Sequence, residues 1–287
     1  MMTTNRIDAL FAAKKRGILN VYCTAGFPEA DSTLPVMQAL QDGGADMIEL
    51  GMPYSDPLAD GPVIQASSMT AIEKGMTIAR LLGQLTDFRK TIRLPVLLMG
   101  YLNPVLQYGF ERFCADAAAA GIDGLILPDL PMHEFETVYG PIIQRHGLHF
   151  IFLVTPETSP ERIRRLDELS TGFLYAVSSS STTGKDKEMG DSEAYFKRLS
   201  SMGLKNPVLV GFGIRDRATF ESACAHTNGA IIGTAYIKVL QAAAGAGQPS
   251  GAGQPSGAGQ PATGSGTGRP AADIAGATRA FIQTVRS

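Results

Sequence analysis

The sequence predicts a (β/α)8 barrel, and three observations carry that prediction. Eight short apolar runs recur along the 287 residues, helix-compatible stretches separate them, and the last two runs each lead into a glycine turn. The runs are Asn20–Cys23, Met47–Leu50, Val96–Met99, Leu125–Leu127, Phe150–Val154, Phe173–Val177, Val208–Val210 and Ala230–Ile232. None shows the polar alternation of a half-exposed sheet. Continuous apolar runs mark strands buried on both faces, as in parallel sheets. Eight strand–helix units over about 250 residues fit a closed barrel. A doubly wound open sheet is the alternative, although it usually has fewer strands.

The helices between the runs carry their own signals. Asp31 or Ser32 can cap a helix with Val36, Met37 and Leu40 on one face, which stops at Gly43-Gly44. Phe110 to Ala120 is alanine-rich and stops at Gly121. Ser159 can cap Pro160 to Leu169, with proline in the favoured first turn. Two helix-to-strand junctions resemble each other: Gly44-Ala45-Asp46 before the second run and Gly121-Ile122-Asp123-Gly124 before the fourth.

One segment departs from this pattern. From Gly245 to Arg269 the chain repeats Gly-Ala-Gly-Gln-Pro-Ser and continues in Gly, Ser, Thr and Pro. Such a composition buries too little surface to offset ordering entropy, so a flexible insertion is expected over 245–269. A tether of about 25 residues has a typical end separation of roughly 25–30 Å. Beyond it, Ile274, Thr278, Phe281, Ile282 and Val285 share one helical face. The expected organisation is a barrel over 1–244 whose final helix, within 270–287, returns after the insertion.

Composition narrows the function. The chain carries 25 basic and 27 acidic side chains, a balance that points to neither nucleic acid nor an anionic membrane. Cys23, Cys114 and Cys224 are odd in number and fit no zinc spacing, so they read as reduced thiols of a cytoplasmic protein. Met1 to Arg16 lacks the apolar core of a secretion signal, and no run approaches the roughly 20 residues of a membrane span. The four histidines have no metal-binding spacing, and no dinucleotide or Walker loop is present. No metal and no cofactor are expected.

The chemistry is expected at the C-terminal ends of the strands. Gly211-Phe212-Gly213-Ile214 follows the seventh run and Gly233-Thr234-Ala235 the eighth. Glycine lets the backbone approach an anion, and a helix N-terminus supplies N–H groups and a positive dipole end, so this pair suggests a phosphate grip. Ordinary strand-exit turns are the plainer alternative. Glu49 ends the second run between Ile48 and Leu50, where lost hydration raises a carboxyl toward the range useful for proton transfer. The alternative is a structural ion pair. Asp60, in the loop Gly51 to Pro62, either joins Glu49 at the mouth or caps the helix that starts near Pro62. Tyr175 points into the barrel or packs in its wall. The polar loop Ser178 to Lys185 either closes over a phosphate or is plain surface.

Together these segments resemble the α subunit of tryptophan synthase, over almost the whole chain outside the insertion. The strongest piece runs from Glu49 through Gly51-Met52-Pro53-Tyr54-Ser55-Asp56-Pro57-Leu58-Ala59-Asp60-Gly61-Pro62 to Gln65. Met99 to Pro104, Pro128 to Pro131, Thr183-Gly184 and Gly211 to Ile214 support it. The resemblance implies a (β/α)8 lyase that cleaves indole-3-glycerol phosphate to indole and glyceraldehyde 3-phosphate. It implies Glu49 as the acid/base group, Asp60 as the residue that holds the indole N–H, and Tyr175 near the glycerol chain. Tyr22 stands where the family often has phenylalanine and either lines the indole pocket or is an ordinary core aromatic. Thr183, Gly184, Phe212, Gly213, Gly233 and Thr234 would contact the substrate, the glycines and Thr234 at its phosphate.

The resemblance also implies a β subunit carrying pyridoxal phosphate, in an α2β2 assembly, with Pro53, Asp56 and the Asn103-Pro104 loop facing it. There are departures. Ser178 to Thr182 lacks the arginine and glycine common in this family, Thr234 replaces a serine, and the insertion is not a family feature. Competing readings are a lyase that needs no partner, a silent subunit that only activates the partner, and a sugar-phosphate isomerase. Intact Glu49 and Asp60 count against the second, and the Pro53 to Gln65 segment against the third.

Overall fold

The computed structural model describes residues 5–177, 188–211, 213–245 and 273–287. Among the described residues, nine parallel strands form one sheet: β1 (Ile18–Thr24), β2 (Met47–Gly51), β3 (Val96–Met99), β4 (Gly124–Ile126), β5 (His149–Phe150), β6 (Leu153–Val154), β7 (Leu174–Val177), β8 (Val208–Gly211) and β9 (Gly229–Ile232). Their order is β5-β4-β3-β2-β1-β9-β8-β7-β6. The two ends of this order, β5 and β6, are halves of a single stretch. Ile151 N donates to Leu125 O on one side (3.1 Å), and Tyr175 N donates to Phe152 O on the other (3.0 Å). The sheet therefore closes on itself through residues 149–154, as a (β/α)8 barrel, and the open-sheet alternative falls.

All eight apolar runs contribute strand, with ends shifted by a residue or two. The fifth is interrupted because Phe152 N donates to the Ser170 hydroxyl (3.0 Å) instead of to a neighbouring strand. Among the described residues, seven of the strands, all but β5 and β6, are buried along their whole length, as runs without polar alternation require.

The helices form where their signals lie. Thr33–Gly43 ends on Gly44 at φ +97°, and Phe110–Ala120 ends on Gly121 at φ +100°, left-handed positions that favour glycine. Ser159 caps Pro160–Leu169 by accepting from Arg162 N (3.3 Å). The expected cap at Asp31 or Ser32 is not made. The Ser32 hydroxyl accepts from Glu29 N (3.1 Å) and Asp31 pairs with Arg80 (3.2 Å), so local turn and ion-pair contacts take both side chains.

The final helix, Ile274–Arg286, buries Thr278, Phe281, Ile282 and Val285. It lies on Thr33–Gly43, where a Cβ on Gly43 would come within 2.7 Å of Ile282 Cδ1. It also touches the helix Thr234–Gly245: Tyr236 and Thr278 share a hydroxyl hydrogen bond (2.8 Å), and the Tyr236 and Phe281 rings lie 5.4 Å apart. Arg286 pairs with Asp46, which also holds Lys14. Gly245 belongs to the end of Thr234–Gly245; the rest of the expected insertion, 246–269, lies outside the described residues. Among the described residues no helix is long and apolar enough to cross a membrane.

Candidate active site

At the C-terminal mouth of the barrel is a cavity of about 570 Å3. Tyr22 enters it from β1, Glu49 from β2, Asp60 from the following loop and Tyr175 from β7; Gly213, Gly233 and Thr234 also line it. Tyr22 and Glu49 are register partners on adjacent strands. Two glycines make room for the tyrosines. A Cβ on Gly51 would overlap the Tyr22 phenol, and one on Gly211 would overlap that of Tyr175. Both rings are buried inside the barrel, and burial, reinforced by the charges of Asp60 and Glu49, holds both phenols well above their usual titration range. They remain hydrogen-bond donors at physiological pH.

Glu49 is 1% exposed. Among the described residues no basic partner accounts for it, so they provide no structural ion pair for Glu49. Asn20 Nδ2 donates to Glu49 Oε2 across 3.0 Å. Burial pushes the Glu49 carboxyl up to about 8; the Asn20 hydrogen bond opposes that rise, and the charge of Asp60 adds to it. A carboxyl in that range can give or take a proton near neutral pH. Cys23, beside it on β1, is pushed up to about 12 by burial and by Glu49, so it stays a thiol.

Asp60 does not cap the next helix. Pro62–Glu73 has Gly61 as its N-cap and no side-chain cap bond. The Asp60 carboxylate accepts from Tyr101 Oη instead (3.1 Å). Burial raises its pKa, and the Tyr101 phenol opposes the rise.

Gly213 sits at φ +72°. Gly233 leaves little space, since a Cβ there would lie 3.3 Å from Tyr22 Cβ. Thr234 is the first residue of the helix Thr234–Gly245, so the positive end of that helix opens on the cavity. Lys238, one turn along, and Arg215 also line the cavity. Thr183, Gly184, Phe212 and the loop Ser178 to Lys185 lie outside the described residues.

The partner-facing candidates lie together on one rim. Asn103 Nδ2 donates to Tyr54 Oη (3.3 Å), which ties the Pro53 to Asp60 loop to the segment after β3. Asn103 and Pro104 are not in a loop; they lie in the first turn of a helix, Leu102–Tyr108, where proline costs no hydrogen bond. Leu58 (90%) and Leu106 (43%) are among the exposed large apolar side chains, one on each of these two segments.

Asn20, Tyr101 and Lys238 were missed from sequence. Asn20 had a signal: a carboxamide among Ile18, Leu19 and Val21 on a buried strand needs a partner. Tyr101 reaches Asp60 across 41 residues of sequence, which local pattern does not encode. All three cysteines are free thiols. Among the described residues no group of three or more His, Cys, Asp or Glu side chains is placed to hold a metal ion.

Comparison with known proteins points one way. The family model described as "Tryptophan synthase alpha chain" matches residues 9–252. A tryptophan synthase alpha chain of Parabacteroides distasonis is 50% identical over 241 residues, 84% of this chain and 94% of that protein. The crystal structure of tryptophan synthase subunit alpha from Legionella pneumophila superposes with a TM-score of 0.82 at 33% identity, covering 99% of this chain and 98% of that one. A structure of tryptophan synthase from M. tuberculosis in its aminoacrylate-bound form matches with a TM-score of 0.74 at 33% identity, over 83% of this chain and 93% of that one.

Proposed function

The chain belongs to the tryptophan synthase alpha chain family, and on that premise we propose that Glu49 and Asp60 carry its reaction. The protein is a carbon–carbon lyase of tryptophan biosynthesis: it cleaves indole-3-glycerol phosphate to indole and glyceraldehyde 3-phosphate. The observation that carries the assignment of roles is a buried Glu49 that shares one cavity with Asp60 and whose pKa burial raises.

The reaction is a retro-aldol cleavage. Glu49, as the carboxylic acid, donates its proton to carbon three of the indole ring. The ring nitrogen then bears positive charge, and its N–H is held by the Asp60 carboxylate, which Tyr101 keeps oriented. The Glu49 carboxylate next takes the proton of the neighbouring glycerol hydroxyl. As that proton leaves, the carbon–carbon bond breaks, its electrons restore the aromatic ring, and the hydroxyl carbon becomes the aldehyde. Glu49 ends the cycle protonated as it began. Tyr22 lines the indole end, and Tyr175 donates along the glycerol chain.

The phosphate is assigned to the N–H groups of Gly213 and Gly233, the Thr234 hydroxyl and the helix that Thr234 begins. Lys238 adds positive charge beside them. Thr183, Gly184 and Phe212 are proposed as further contacts on the resemblance of their segments alone. Residues 1–245 and 270–287 are read as one catalytic barrel interrupted by the insertion 246–269.

A β subunit is the partner of this chain. The finer assignments are proposals: an α2β2 tetramer, pyridoxal phosphate held by the β subunit, no cofactor on this chain, and a cytoplasmic location consistent with three free thiols. Pro53, Asp56, Asn103 and Pro104 would face the β subunit, with exposed Leu58 and Leu106 giving that rim apolar surface to bury. Packing there would steady the loop that carries Asp60 and raise the fraction of competent sites. Coupling of this kind is typically worth about 1–3 kcal/mol, or roughly 5–150-fold. The test is indole release at saturating substrate, titrated with a β subunit. Turnover is expected to rise as the complex forms. A complex that forms without any rise would favour a lyase independent of its partner.

A further inference from the structure

The interior of a (β/α)8 barrel is normally filled by branched apolar side chains in layers. Asn20 breaks that rule. Its side chain is fully buried on β1. Side chains alternate along a strand, so Asn20 points to the same face as Tyr22, one layer beneath the cavity. Its Nδ2 donates to Glu49 Oε2 (3.0 Å), while its Oδ1 is buried with no hydrogen-bond partner among the described residues. A buried acceptor left unpaired is destabilising, and a leucine in the same space would avoid that cost.

Glu49 needs two kinds of neighbour in turn. As a carboxylate it only accepts hydrogen bonds; as a carboxylic acid it also donates one. A carboxamide offers both a donor and an acceptor on one short side chain. Among the described residues, no other ionisable group that faces Glu49 supplies a positive charge to it. Asp60, from the loop after β2, repels its charged form; Tyr22 and Tyr175 are phenols pushed far above neutral pH; Cys23 remains a thiol.

We propose that Asn20 is a positioning residue that serves Glu49 in both protonation states, donating through Nδ2 to the carboxylate and, after half a turn of its carboxamide, accepting through Oδ1 from the carboxylic acid. The unpaired oxygen is then the atom that waits for the Glu49 proton. Asn20 touches no substrate; it holds Glu49 in one place while the proton leaves and returns. This rests on the reading of Glu49 as the acid/base group.

The test uses the full chain with Asn20→Leu, which keeps the volume and removes both polar atoms, and Asn20→Ser, which keeps a smaller donor and acceptor. The 13C signal of the Glu49 carboxyl is followed against pH in each, alongside indole release. In Asn20→Leu both bonds are lost, and the titration midpoint is expected to rise by about one pH unit, because the bond to the charged form is the stronger of the two. Its kcat is expected to fall roughly tenfold to a hundredfold, with KM nearly unchanged and thermal stability equal or higher. Asn20→Ser is expected to recover part of both losses. An unmoved midpoint in Asn20→Leu overturns the proposal, whether kcat is intact or falls through packing alone. Activity retained by Glu49→Gln would instead strike at the reading of Glu49, so the two failures are separable.

Discussion

Tyr101 Oη donates to Asp60 Oδ2 across 3.1 Å, and the same phenol oxygen accepts the N–H of Ala59 at 3.0 Å. One side chain on the rim thus fixes both the charge and the backbone of the loop that presents Asp60. Burial raises the Asp60 pKa and the phenol holds it down. Tyr101→Phe removes the opposing bond, so Asp60 should bind its proton at higher pH than before. The acidic limb of the kcat/KM profile is expected to move upward, and kcat/KM at neutral pH to fall about tenfold or more. Asp60→Asn should cost more, on the order of a hundredfold. An acidic limb unmoved in Tyr101→Phe would remove Tyr101 from the account.

Gly213 and Gly233 are assigned to the phosphate, and the backbone supplies the reason. Gly213 holds φ +72°, a conformation strained for a β-branched residue. Gly213→Val is expected to weaken binding of a phosphate ester roughly tenfold or more, because it displaces the N–H assigned to the anion. Calorimetric titration with glycerol 3-phosphate reads this directly. Unchanged affinity would move the phosphate elsewhere.

The helices on either side of the insertion already touch, through Tyr236 with Thr278 and Phe281. Shortening 246–269 to a few residues is therefore expected to leave fold and activity intact. Loop-closure entropy changes by only about 0.6 kcal/mol per doubling of length. Thermal unfolding and indole release of the shortened chain are the measurements. A well-folded but inactive variant would give the insertion a role in catalysis.

Much of this architecture was legible because buried parallel strands write continuous apolar runs and helices end on left-handed glycines. Phe110–Ala120 and Pro160–Leu169 were placed to the residue for that reason. What local pattern lacks is contact between distant segments. The break at Ile151 and Phe152 falls inside an unbroken apolar run, since it comes from Ser170 capturing a backbone N–H. Asn103-Pro104 read as a loop because proline punctuates loops and first helical turns alike. Glu49 stood out because a carboxylate is conspicuous in a buried strand, whereas Asn20, three residues into β1, passed as the edge of an apolar run.

On the roles proposed, Glu49 moves the protons, and indole release by Glu49→Gln reads that role at its source. Burial in the folded chain pushes the Glu49 carboxyl up to about 8, from an ordinary value of 4.5. Between those values ionisation favours the unfolded chain, by about 1.4 kcal/mol per pH unit. Glutamine removes that cost, so the variant should be at least as heat-stable as the native chain near neutral pH, and any loss of activity is not loss of fold. In the native enzyme the acid form starts the cycle, so kcat/KM should fall as pH rises through about 8. Glu49→Gln, assayed alone and with a β subunit, is expected to release no measurable indole from indole-3-glycerol phosphate. A folded Glu49→Gln that retains most of the native turnover would contradict the account.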